Sequence, residues 1–337
     1  MKKLKIFVVA ESFVGEANGV TTAILELIDS LNNDDYYELV DCPKSADVIH
    51  AHTIGLEYIM YSYKYKHKMV VSAHVVPDSF IGSLIFSRLW RPLAKLYLTY
   101  VYNRSSQVIA VSPFVKTELE RIGVTNKINV LCNSVDREKF NKNLDMRSKF
   151  RNRLKLSDSF VVTCVGQIQP RKGIYDFIDT AKKCPDVTFL WVGGTPFKGL
   201  TAEYKKLQTV VKQAPSNIVF TGIVDFKDMP AYYATSDVFF MPSYQENFAF
   251  ATIEASSVQL PLILRDNVEY PSSLFTHYLK GNSSDDFSTI IMKLKNDSDY
   301  YSKWQQESET LASKYSLDAY MIQLKKIYQS INSSTIS

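Results

Sequence analysis

The sequence has few cysteines, and none of them is spaced for metal binding. Four occur among its 337 residues, at Cys42, Cys132, Cys164 and Cys184. They are scattered along the chain, and three of them stand inside apolar runs. Because no metal-ligand spacing is present, we expect buried thiols in a reducing compartment.

Long apolar runs are also missing. No stretch of about 18 apolar residues occurs, so the sequence predicts no helix that spans a membrane. The N-terminal MKKLKIFVVAESF begins with lysines and a short apolar run. A signal peptide needs a longer apolar core and a small-residue cleavage site, so this segment is predicted to be a first β-strand instead.

Two familiar ligand motifs are absent as well. Gly15 and Gly19 stand in the first strand-to-helix loop without forming G-x-G-x-x-G, so we expect no nicotinamide site. They suit either a flexible turn or a loop whose backbone approaches a ligand closely. The aspartate pairs at 34–35 and 285–286 fall in a loop and at a helix start, so neither predicts a metal site. We expect no metal and no cofactor.

What the chain does contain is two series of alternating strands and helices. A hydrophobic content of 46% and a charged content of 22% are globular values, and the length suffices for two domains. Short apolar runs separated by helical stretches predict a doubly wound α/β fold. We predict a first domain over 1–140, a linker around 133–143, a second domain over 150–312 and a helix over 313–337. That last helix suits either a return to the first domain or an extension of the second.

Polar residues follow several of the predicted strands in the first half, where ligands of such sheets bind. They are His52, His74, Ser112 and Asn133. A lone histidine at a strand end is ordinarily structural. Several polar residues in the same topological position favour a binding site.

The most informative stretch is Pro242–Ser257, PSYQENFAFATIEASS, which places Glu246 after an apolar run and Glu254 eight residues later. The residues between them are predicted to open a helix, whose free N–H groups can bind an anion or a hydroxyl. A helical rise of about 1.5 Å per residue would separate the carboxylates by roughly 10–12 Å. That exceeds the ~5–9.5 Å of a glycoside-hydrolase pair and suits an elongated ligand such as a nucleotide-sugar. Two solvated helix glutamates are the alternative.

A second loop suited to phosphate is Pro170–Gly173, P-R-K-G, between a predicted strand and a predicted helix. Arg171 or Lys172 can reach a phosphate there, and Gly173 permits close backbone approach. Cations placed in this way stabilise charge that grows on a leaving diphosphate.

Together these motifs resemble a known family. The segment E-N-F-A-F-A-T-I-E is similar to the E-x7-E signature of the retaining GT-B glycosyltransferases of family 4, and N-S-V-D at 133–136 is similar to a sequence that closes their first domain. The segments HTIGLEY, GQIQPRKGIYDFI and F-x-W-V-G-G most resemble the diglycosyl-diacylglycerol synthases of Gram-positive glycolipid (lipoteichoic acid anchor) synthesis. The resemblance implies a GT-B fold, with two Rossmann-like domains facing across a cleft.

The resemblance also implies roles for individual residues. The catalytic positions are His74, which contacts the donor hexose, Lys172, which binds the diphosphate, and Glu246, which holds hexose hydroxyls. Glu254 would bind the ribose. The remaining implied donor-binding positions are Gly15, Gly19, Gln167, Arg171, Val224, Phe248, Ala249 and Phe250. Many members carry arginine where this chain has Gln167, so one positive charge at the diphosphate is missing here. The implied mechanism is front-face attack without a metal ion.

A basic and aromatic segment between Tyr61 and Arg104 points to the acceptor. It holds seven Lys or Arg residues and one acid, Asp78, within a net charge of +4 for the chain. Basic residues interleaved with Trp and Tyr are typical of segments that lie on an anionic membrane. We predict that the acceptor and the membrane contact Lys64, Lys66, Lys68, Arg88, Trp90, Arg91 and Lys95. A helix begun by Pro92 would put Arg91, Lys95 and Thr99 on one face; an ordinary core helix with snorkelling ends is the alternative.

The sequence therefore predicts a retaining, peripheral-membrane hexosyltransferase at the cytoplasmic face of the cell membrane. It would move glucose or galactose from a UDP-sugar to a glycolipid, with monoglucosyl-diacylglycerol as the acceptor. A polyprenyl-linked, cell-wall or capsule glycan acceptor is the alternative within the same family. A catalytically silent sugar-nucleotide binder or membrane scaffold is a third interpretation, and nucleic acid is not an expected partner.

Overall fold

A computed structural model describes residues 3–11, 19–80, 87–156, 158–195 and 203–336, with side chains for all of these except 80, 87–90 and 334–336. The chain forms two compact units. The first contains Met1–Phe80, Arg88–Asn133 and Leu317–Ser337, and the second is built from Ser134–Ser316. The N-terminal portion of the first unit thus ends at Asn133 rather than at 140, and the C-terminal helix completes that unit.

The first unit is organised on a six-stranded parallel sheet with the order β2-β1-β3-β4-β5-β6. Its strands are β1 Leu4–Val9, β2 Tyr37–Leu39, β3 Val48–Ala51, β4 Met69–Ala73, β5 Gln107–Ala110 and β6 Lys127–Val130. Every residue of β3, β4 and β5 is buried. Helices cover both faces of such a sheet, which is why these strands appear in the sequence as continuous apolar runs.

The helices of the first unit alternate with its strands. They are α1 Gly19–Asn32, α2 Leu56–Tyr65, α3 Ser87–Tyr102, α4 Pro113–Ile122 and, from the C-terminus, α13 Leu317–Ile336. Leu324, Ile327, Tyr328 and Ile331 of α13 pack into the same core as Ile6 of β1. The apolar stripe predicted at the C-terminus therefore covers the sheet of the first unit.

The second unit repeats the plan with a parallel sheet of order β12-β11-β10-β7-β8-β9. Its strands are β7 Val161–Val165, β8 Thr188–Val192, β9 Ile218–Phe220, β10 Val238–Met241, β11 Leu262–Arg265 and β12 Leu279–Gly281. Its helices are α5 Leu144–Arg153, α6 Ile174–Lys183, α7 Tyr204–Lys212, α8 Met229–Thr235, α9 Phe250–Ser257, α10 Pro271–Leu274, α11 Ser284–Asn296 and α12 Ser298–Ser313. The predicted α/β class, with two Rossmann-like units, is confirmed.

Helix ends follow ordinary capping chemistry. Ser112 accepts a hydrogen bond from the backbone N–H of Val115 at 3.1 Å and so begins α4, and Gly123 ends that helix at φ +99°. Ser283 and Asp286 form a reciprocal capping box at the start of α11. Asp286 therefore has a structural role, which agrees with the prediction that the aspartate pair at 285–286 marks a helix start.

The cysteines agree only in part with the prediction. Cys164 and Cys184 are buried and Cys132 is partly buried, but Cys42 is exposed, and all four are free thiols. The expectation of buried thiols is therefore wrong for Cys42, which lies in the loop after β2. Within the described ranges, no helix combines the length and the apolar character that crossing a bilayer requires.

Candidate functional site

The Glu246 carboxylate lies at the centre of a buried ion-pair cluster in the second unit. Its Oε1 accepts hydrogen bonds from Lys172 Nζ at 2.5 Å and from Ser243 Oγ at 2.6 Å, and its Oε2 lies 3.9 Å from Arg171 Nη1. Burial alone would raise the pKa of Glu246, but Lys172, Arg171 and Ser243 outweigh burial and lower it. Glu246 is therefore an ionised carboxylate beside two cations.

Gly173 allows the two loops of this cluster to approach each other. It has φ +76°, and a Cβ built on it would lie 2.3 Å from the carbonyl oxygen of Pro242. Only glycine avoids both the left-handed strain and this contact. The R-K-G turn can therefore lie directly against the loop that follows β10, which brings Lys172 to Glu246.

Arg171 both accepts and donates hydrogen bonds that fix the same two loops to each other. Its carbonyl oxygen accepts from the backbone N–H of Tyr244 at 2.8 Å and from Ser243 Oγ at 3.2 Å. Its guanidinium donates to the carbonyl oxygen of Gln245 at 2.5 Å. Arg171 therefore holds the loop that carries Glu246 as well as contributing charge to the site.

Glu269 supports Glu246 from a third segment, the loop after β11. The backbone N–H of Glu246 donates to Glu269 Oε1 at 2.7 Å, and only 6% of Glu269 is exposed. Burial raises the pKa of Glu269, while the hydrogen bond from Glu246 opposes this change. Glu269 is not recognisable from sequence, because nothing in the local pattern at 265–270 marks a carboxylate that pairs with a backbone group 23 residues away.

Two neighbours of Glu269 extend this support. Asn267 Nδ2 donates to the carbonyl oxygen of Ser243 at 2.8 Å, and Arg265 Nε donates to that of Pro242 at 3.1 Å. Both side chains are buried. We call Arg265, Asn267 and Glu269 the brace, because each of them bonds to the backbone of the loop that carries Glu246.

Arg265 also connects the brace to α6. Its Nη2 lies 2.7 Å from Asp176 Oδ2, and the hydroxyl of Tyr244 donates to the same oxygen at 2.6 Å. The guanidinium lies 3.9 Å from the centre of the Tyr244 ring. Asp176 stands in the first turn of α6, where a carboxylate is favoured by the helix dipole.

The start of α9 differs from the prediction. The helix begins at Phe250, so the segment 247–249 is not helical and the helical separation assumed for the two glutamates does not apply. The backbone N–H of Phe250 is occupied, since it donates to the carbonyl oxygen of Phe248 at 3.0 Å. The N–H of Thr252 likewise donates to Ala249 at 2.9 Å. Of the implied donor-binding positions 248–250, Phe250 therefore has its backbone N–H bonded within the protein.

Glu254 is buried in α9, with 4% of its surface exposed. Its Oε2 accepts a hydrogen bond from the hydroxyl of Tyr233 at 2.5 Å. Burial raises the pKa of Glu254 to about 7, although the bond from Tyr233 lowers it. The interpretation of this residue as a solvated helix glutamate is therefore wrong. Its predicted contact with ribose stays a prediction.

The other predicted donor-binding positions in the second unit, Gln167 and Val224, follow β7 and β9. Gln167 follows β7 and accepts a hydrogen bond from Gln169 at 2.5 Å. Val224 follows the turn at Gly222, which has φ +72° and bridges to Gly193. A Cβ on Gly193 would lie 2.2 Å from the carbonyl oxygen of Gly166, so the backbones at these strand ends are packed closely. Such an edge is the usual ligand position of a doubly wound sheet.

His74 lies in the first unit, directly after β4, and it belongs to a stack of three histidines. His52 Nδ1 lies 3.1 Å from His74 Nε2, and the ring centres of His50 and His52 are 4.4 Å apart. His50 is fixed by Ser72 Oγ at 2.8 Å and by the hydroxyl of Tyr328 at 2.7 Å. The two strand-end histidines, His52 and His74, are therefore in contact.

Burial keeps this stack neutral. It lowers the pKa of His50 to about 3 and that of His74 to about 4, and it lowers the pKa of His52 well below its ordinary value. Neighbouring histidines add to the effect for His50 and His52. A neutral imidazole can still donate or accept a hydrogen bond, so His74 can contact a sugar hydroxyl without carrying charge.

Of the two glycines predicted in the first loop, Gly15 lies outside the described residues. Gly19 is the first residue of α1. Glu11, just after β1, takes part in local structure: its Oε1 accepts from the backbone N–H of Tyr58 at 3.2 Å, in the first turn of α2. The predicted donor contacts of this loop stay predictions.

The predicted membrane segment is divided between core and surface. Lys68 is buried and donates to the carbonyl oxygen of Ala46 at 2.6 Å, so its placement at a membrane is wrong. Lys64, Lys66 and Lys95 are exposed. Arg91 pairs with Asp78. The side chains of Arg88 and Trp90 are not among those that the structure describes.

Helix α3 is neither a plain core helix nor one begun by Pro92. It begins at Ser87, so Pro92 stands inside it. One face, containing Ala94, Leu98, Val101 and Tyr102, is buried. The other exposes Leu93, Leu96, Tyr97 and Tyr100, which are 67%, 68%, 41% and 45% exposed. The helix is therefore apolar on a face that the unit does not cover.

Within the described ranges, no group of three or more His, Cys, Asp or Glu side chains is arranged to hold a metal ion. The charged groups at the candidate site are instead those of the Glu246 cluster.

Comparison with known proteins identifies matches over nearly the whole chain. Residues 145–310 match the family model described as glycosyl transferases group 1, and residues 43–139 match glycosyltransferase family 4. The alpha-galactosylglucosyldiacylglycerol synthase of Streptococcus pneumoniae is 31% identical over 94% of this chain and 86% of its own length. The processive diacylglycerol alpha-glucosyltransferase of Acholeplasma laidlawii is 28% identical over 74% of this chain and 75% of its own.

Solved structures show the same fold. HepE of Anabaena, in complex with UDP and glucose, superposes with a TM-score of 0.80 over 98% of this chain and 100% of its own, at 17% identity. Sucrose-phosphate synthase of Thermosynechococcus elongatus gives 0.82 over the same shares at 15% identity.

Proposed function

This chain belongs to family 4 of the GT-B glycosyltransferases, and we propose that it moves a hexose from a UDP-sugar to a membrane glycolipid, with monoglucosyl-diacylglycerol as the acceptor. The single observation that carries the proposal is the Glu246 cluster. It places two cations and an ionised carboxylate together beyond the carboxyl ends of strands in a doubly wound sheet. Its residues are those of the family signature.

The cluster supports donor binding for an electrostatic reason. Lys172 and Arg171 are mostly buried, with 17% and 16% of their side chains exposed, and a buried cation is costly unless it is paired. Glu246 supplies that pairing in the structure. An arriving diphosphate offers the same cations a second anionic partner, while the Glu246 carboxylate can then accept hydrogen bonds from hexose hydroxyls.

The proposed reaction needs no protein nucleophile. The bond between the anomeric carbon and the diphosphate oxygen breaks, and the acceptor hydroxyl oxygen bonds to the same carbon from the same face. The acceptor proton passes to the departing diphosphate, so UDP and the extended glycolipid are the products. Lys172 and Arg171 face the negative charge that grows on the phosphate, which lowers the barrier without requiring a metal ion.

We propose the remaining roles from the resemblance to the family. His74 contacts the hexose as a neutral imidazole, and Glu254 holds the ribose hydroxyls with its carboxylate oriented by Tyr233. Backbone groups near Val224 face the uracil base. Gln167 replaces a positive charge with an amide, so Lys172 and Arg171 carry the diphosphate interaction.

The relatives' names support a lipid acceptor, and the surface of the first unit supports a membrane location. The exposed Leu96 and Tyr100 of α3 line one groove with the exposed Lys66 and Lys95. Lys64, near the end of α2, is exposed as well. Apolar and basic groups side by side suit the interface of an anionic bilayer, where each cation contributes about 1 kcal/mol. We place the enzyme at the cytoplasmic face of the cell membrane, as a peripheral protein.

A transfer assay with two donors and two acceptors tests this function. UDP-glucose and UDP-galactose would be offered separately, in mixed micelles with a chelator, to diacylglycerol and to monoglucosyl-diacylglycerol. The proposal predicts product on the monoglucosyl lipid with one donor, with the anomeric configuration of the donor retained. Binding of a UDP-hexose without product on either lipid would favour a polyprenyl-linked or cell-wall glycan acceptor. Dependence on added Mg²⁺ or Mn²⁺ would contradict the metal-free mechanism.

A further inference from the structure

A groove of about 470 Å³ runs along the C-terminal half of α3 in the first unit. Three of its lining residues are cations, Lys66, Lys95 and Arg104, and no carboxylate lines it. None of the three makes a side-chain ion pair with another described residue. A concave surface lined by one sign of charge attracts counter-ions strongly, because the low-dielectric walls focus the field.

Arg104 is held in place by packing rather than by an acid. Its Nε donates to Ser62 Oγ at 2.9 Å, and its guanidinium lies 3.7 Å from the centre of the Tyr63 ring and 5.5 Å from that of Tyr100. The two tyrosine hydroxyls lie 2.8 Å apart. This leaves the planar guanidinium oriented and its charge uncompensated, which is the state that suits bidentate binding of a phosphate.

Exposed apolar side chains lie in the groove and on the helix beside it. On α2, Leu56, Met60 and Tyr63 are 79%, 62% and 68% exposed and recur at helical spacing, and the Tyr63 ring contacts the groove cation Arg104. On α3, Leu96 and Tyr100 line the groove itself and belong to the exposed face described above. Exposed apolar residues in clusters, unlike scattered ones, mark a surface that another apolar group covers.

We infer that this groove is a discrete site for the phosphodiester of one anionic glycerophospholipid, whose acyl chains lie along the exposed faces of α2 and α3. The inference rests on the proposed membrane location and goes beyond it. A diffuse basic surface would bind any anionic bilayer in proportion to its charge. The groove instead recognises one head group, with Lys66, Lys95 and Arg104 around the phosphate.

Charge complementarity and the exposed apolar side chains together select this ligand. A free phosphate would satisfy the cations but would leave the exposed leucine, methionine and tyrosine side chains in water. A neutral lipid would cover those side chains but would give the three cations no anionic partner. A lipid with an anionic phosphodiester satisfies both parts of the surface.

Titration calorimetry with a short-chain lipid tests the site without a bilayer. The whole chain would be titrated with dihexanoyl-phosphatidylglycerol below its micelle concentration, with no UDP-sugar and no glycolipid present. We expect saturable binding of one lipid per chain. Glycerol 1-phosphate, which has the head group without acyl chains, and dihexanoyl-phosphatidylcholine, which has no net charge, should each bind about tenfold more weakly or worse.

Two double variants of equal charge give the matched comparison. Lys66→Gln with Lys95→Gln removes two groove cations, and Lys205→Gln with Lys212→Gln removes two exposed lysines of α7 in the other unit. The first variant should lower the affinity for the short-chain lipid by about tenfold or more, and the second by less than about twofold. The reason is that a cation affects the binding of an anionic lipid only when it lies near the bound lipid. All four lysine positions are exposed, so both variants are expected to fold, as their thermal unfolding would show.

Three results would overturn the inference, and a fourth would overturn only the proposed function. Binding that does not saturate, or equal weakening in the two variants, would mean that only diffuse charge attracts the lipid. Glycerol 1-phosphate binding as tightly as the lipid would mean a site for free phosphate. If the wild-type chain transfers hexose but does not bind the short-chain lipid, the inference about the groove is wrong and the proposed function stands. If it binds the lipid but transfers no hexose, the inference stands and the proposed function is wrong.

Discussion

The backbone N–H of Glu246 donates to the carboxylate of Glu269, with 2.7 Å between nitrogen and oxygen. This bond ties the most important candidate carboxylate of the site to a second buried acid on a different loop. It fixes the main chain of Glu246, while Lys172 and Ser243 fix its side chain. Glu246 is therefore positioned at both ends before any donor arrives.

Replacing Glu269 tests whether this bond positions Glu246. Glu269→Gln keeps an acceptor oxygen and should change the free energy of unfolding and the rate little. Glu269→Leu leaves the Glu246 N–H without a partner, which costs about 1–3 kcal/mol for a buried donor. We also expect its kcat to fall more than its KM rises, measured at saturating and limiting UDP-hexose. Equal kinetics for the Leu and Gln variants would show that the bond is only structural.

Two glycines of similar conformation separate backbone strain from crowding. Gly173 and Gly222 have φ +76° and +72°, but only at Gly173 would a Cβ meet a neighbour, the carbonyl oxygen of Pro242 at 2.3 Å. Gly222→Ala should cost about 1 kcal/mol of strain. Gly173→Ala should cost clearly more and should lower transfer, because the R-K-G turn must move. Urea unfolding of both variants measures the difference, and equal costs would contradict the close approach of the two loops.

Glu254 should make stability depend on pH. Its pKa is raised from 4.5 to about 7 in the folded chain, because burial disfavours the charged form. The folded state thus binds the proton more tightly than the unfolded state. The stabilisation of the folded state that results is complete below pH 4.5 and is lost as the pH rises through 7. The wild-type advantage over Glu254→Gln should fall by up to about 3 kcal/mol across that window. Urea unfolding at several pH values checks this, and a constant difference would contradict the buried position.

His74 should show the opposite dependence. Burial lowers its pKa from 6.5 to about 4, so the folded chain disfavours the proton. The contribution of neutral His74 to the free energy of unfolding is complete above pH 6.5. It falls by up to about 3 kcal/mol as the pH falls toward 4. His74→Gln should therefore lose less stability than the wild type over this interval. NMR titration of the imidazole is an independent check, and a midpoint near 6.5 would rule out a neutral stack.

Much of the architecture follows from the sequence alone. Long apolar runs such as Met69–Ala73 are buried on both faces and are recognisable without tertiary information. The strands Tyr37–Leu39 and Leu279–Gly281 were not predicted; each has three residues and lies at a sheet edge, where fewer contacts constrain the sequence. The start of α9 was placed too early, because the segment before Phe250 is held by tertiary contacts of the Glu246 loop.

The candidate site divides in the same way. Lys172, Arg171 and Glu246 belong to local motifs, and the structure brings them together. Glu269 could not be predicted, because its role depends on contact between two separate loops. Lys68 was assigned to the membrane from composition, yet burial of its side chain depends on the fold around Ala46. The sequence thus identifies residues within a motif, whereas the residues that hold them from other loops are identified only from the folded structure.

The contribution of Lys172 to hexose transfer is the most direct test of the whole account. Initial rates from UDP-hexose to monoglucosyl-diacylglycerol would be measured for Lys172→Met and for the control Lys205→Met, an exposed lysine of the same unit. Since Lys172 faces charge that develops on the leaving diphosphate, we expect its loss to lower kcat by about a hundredfold or more, and the control to be unchanged. Lys172→Met leaves the buried Glu246 carboxylate without its lysine partner, which can make the single variant unstable. In that case the double variant Lys172→Met with Glu246→Gln removes the unpaired charge, and it should be equally slow. A folded Lys172→Met enzyme that turns over within about threefold of the wild type would contradict the assignment of this cluster as the donor site.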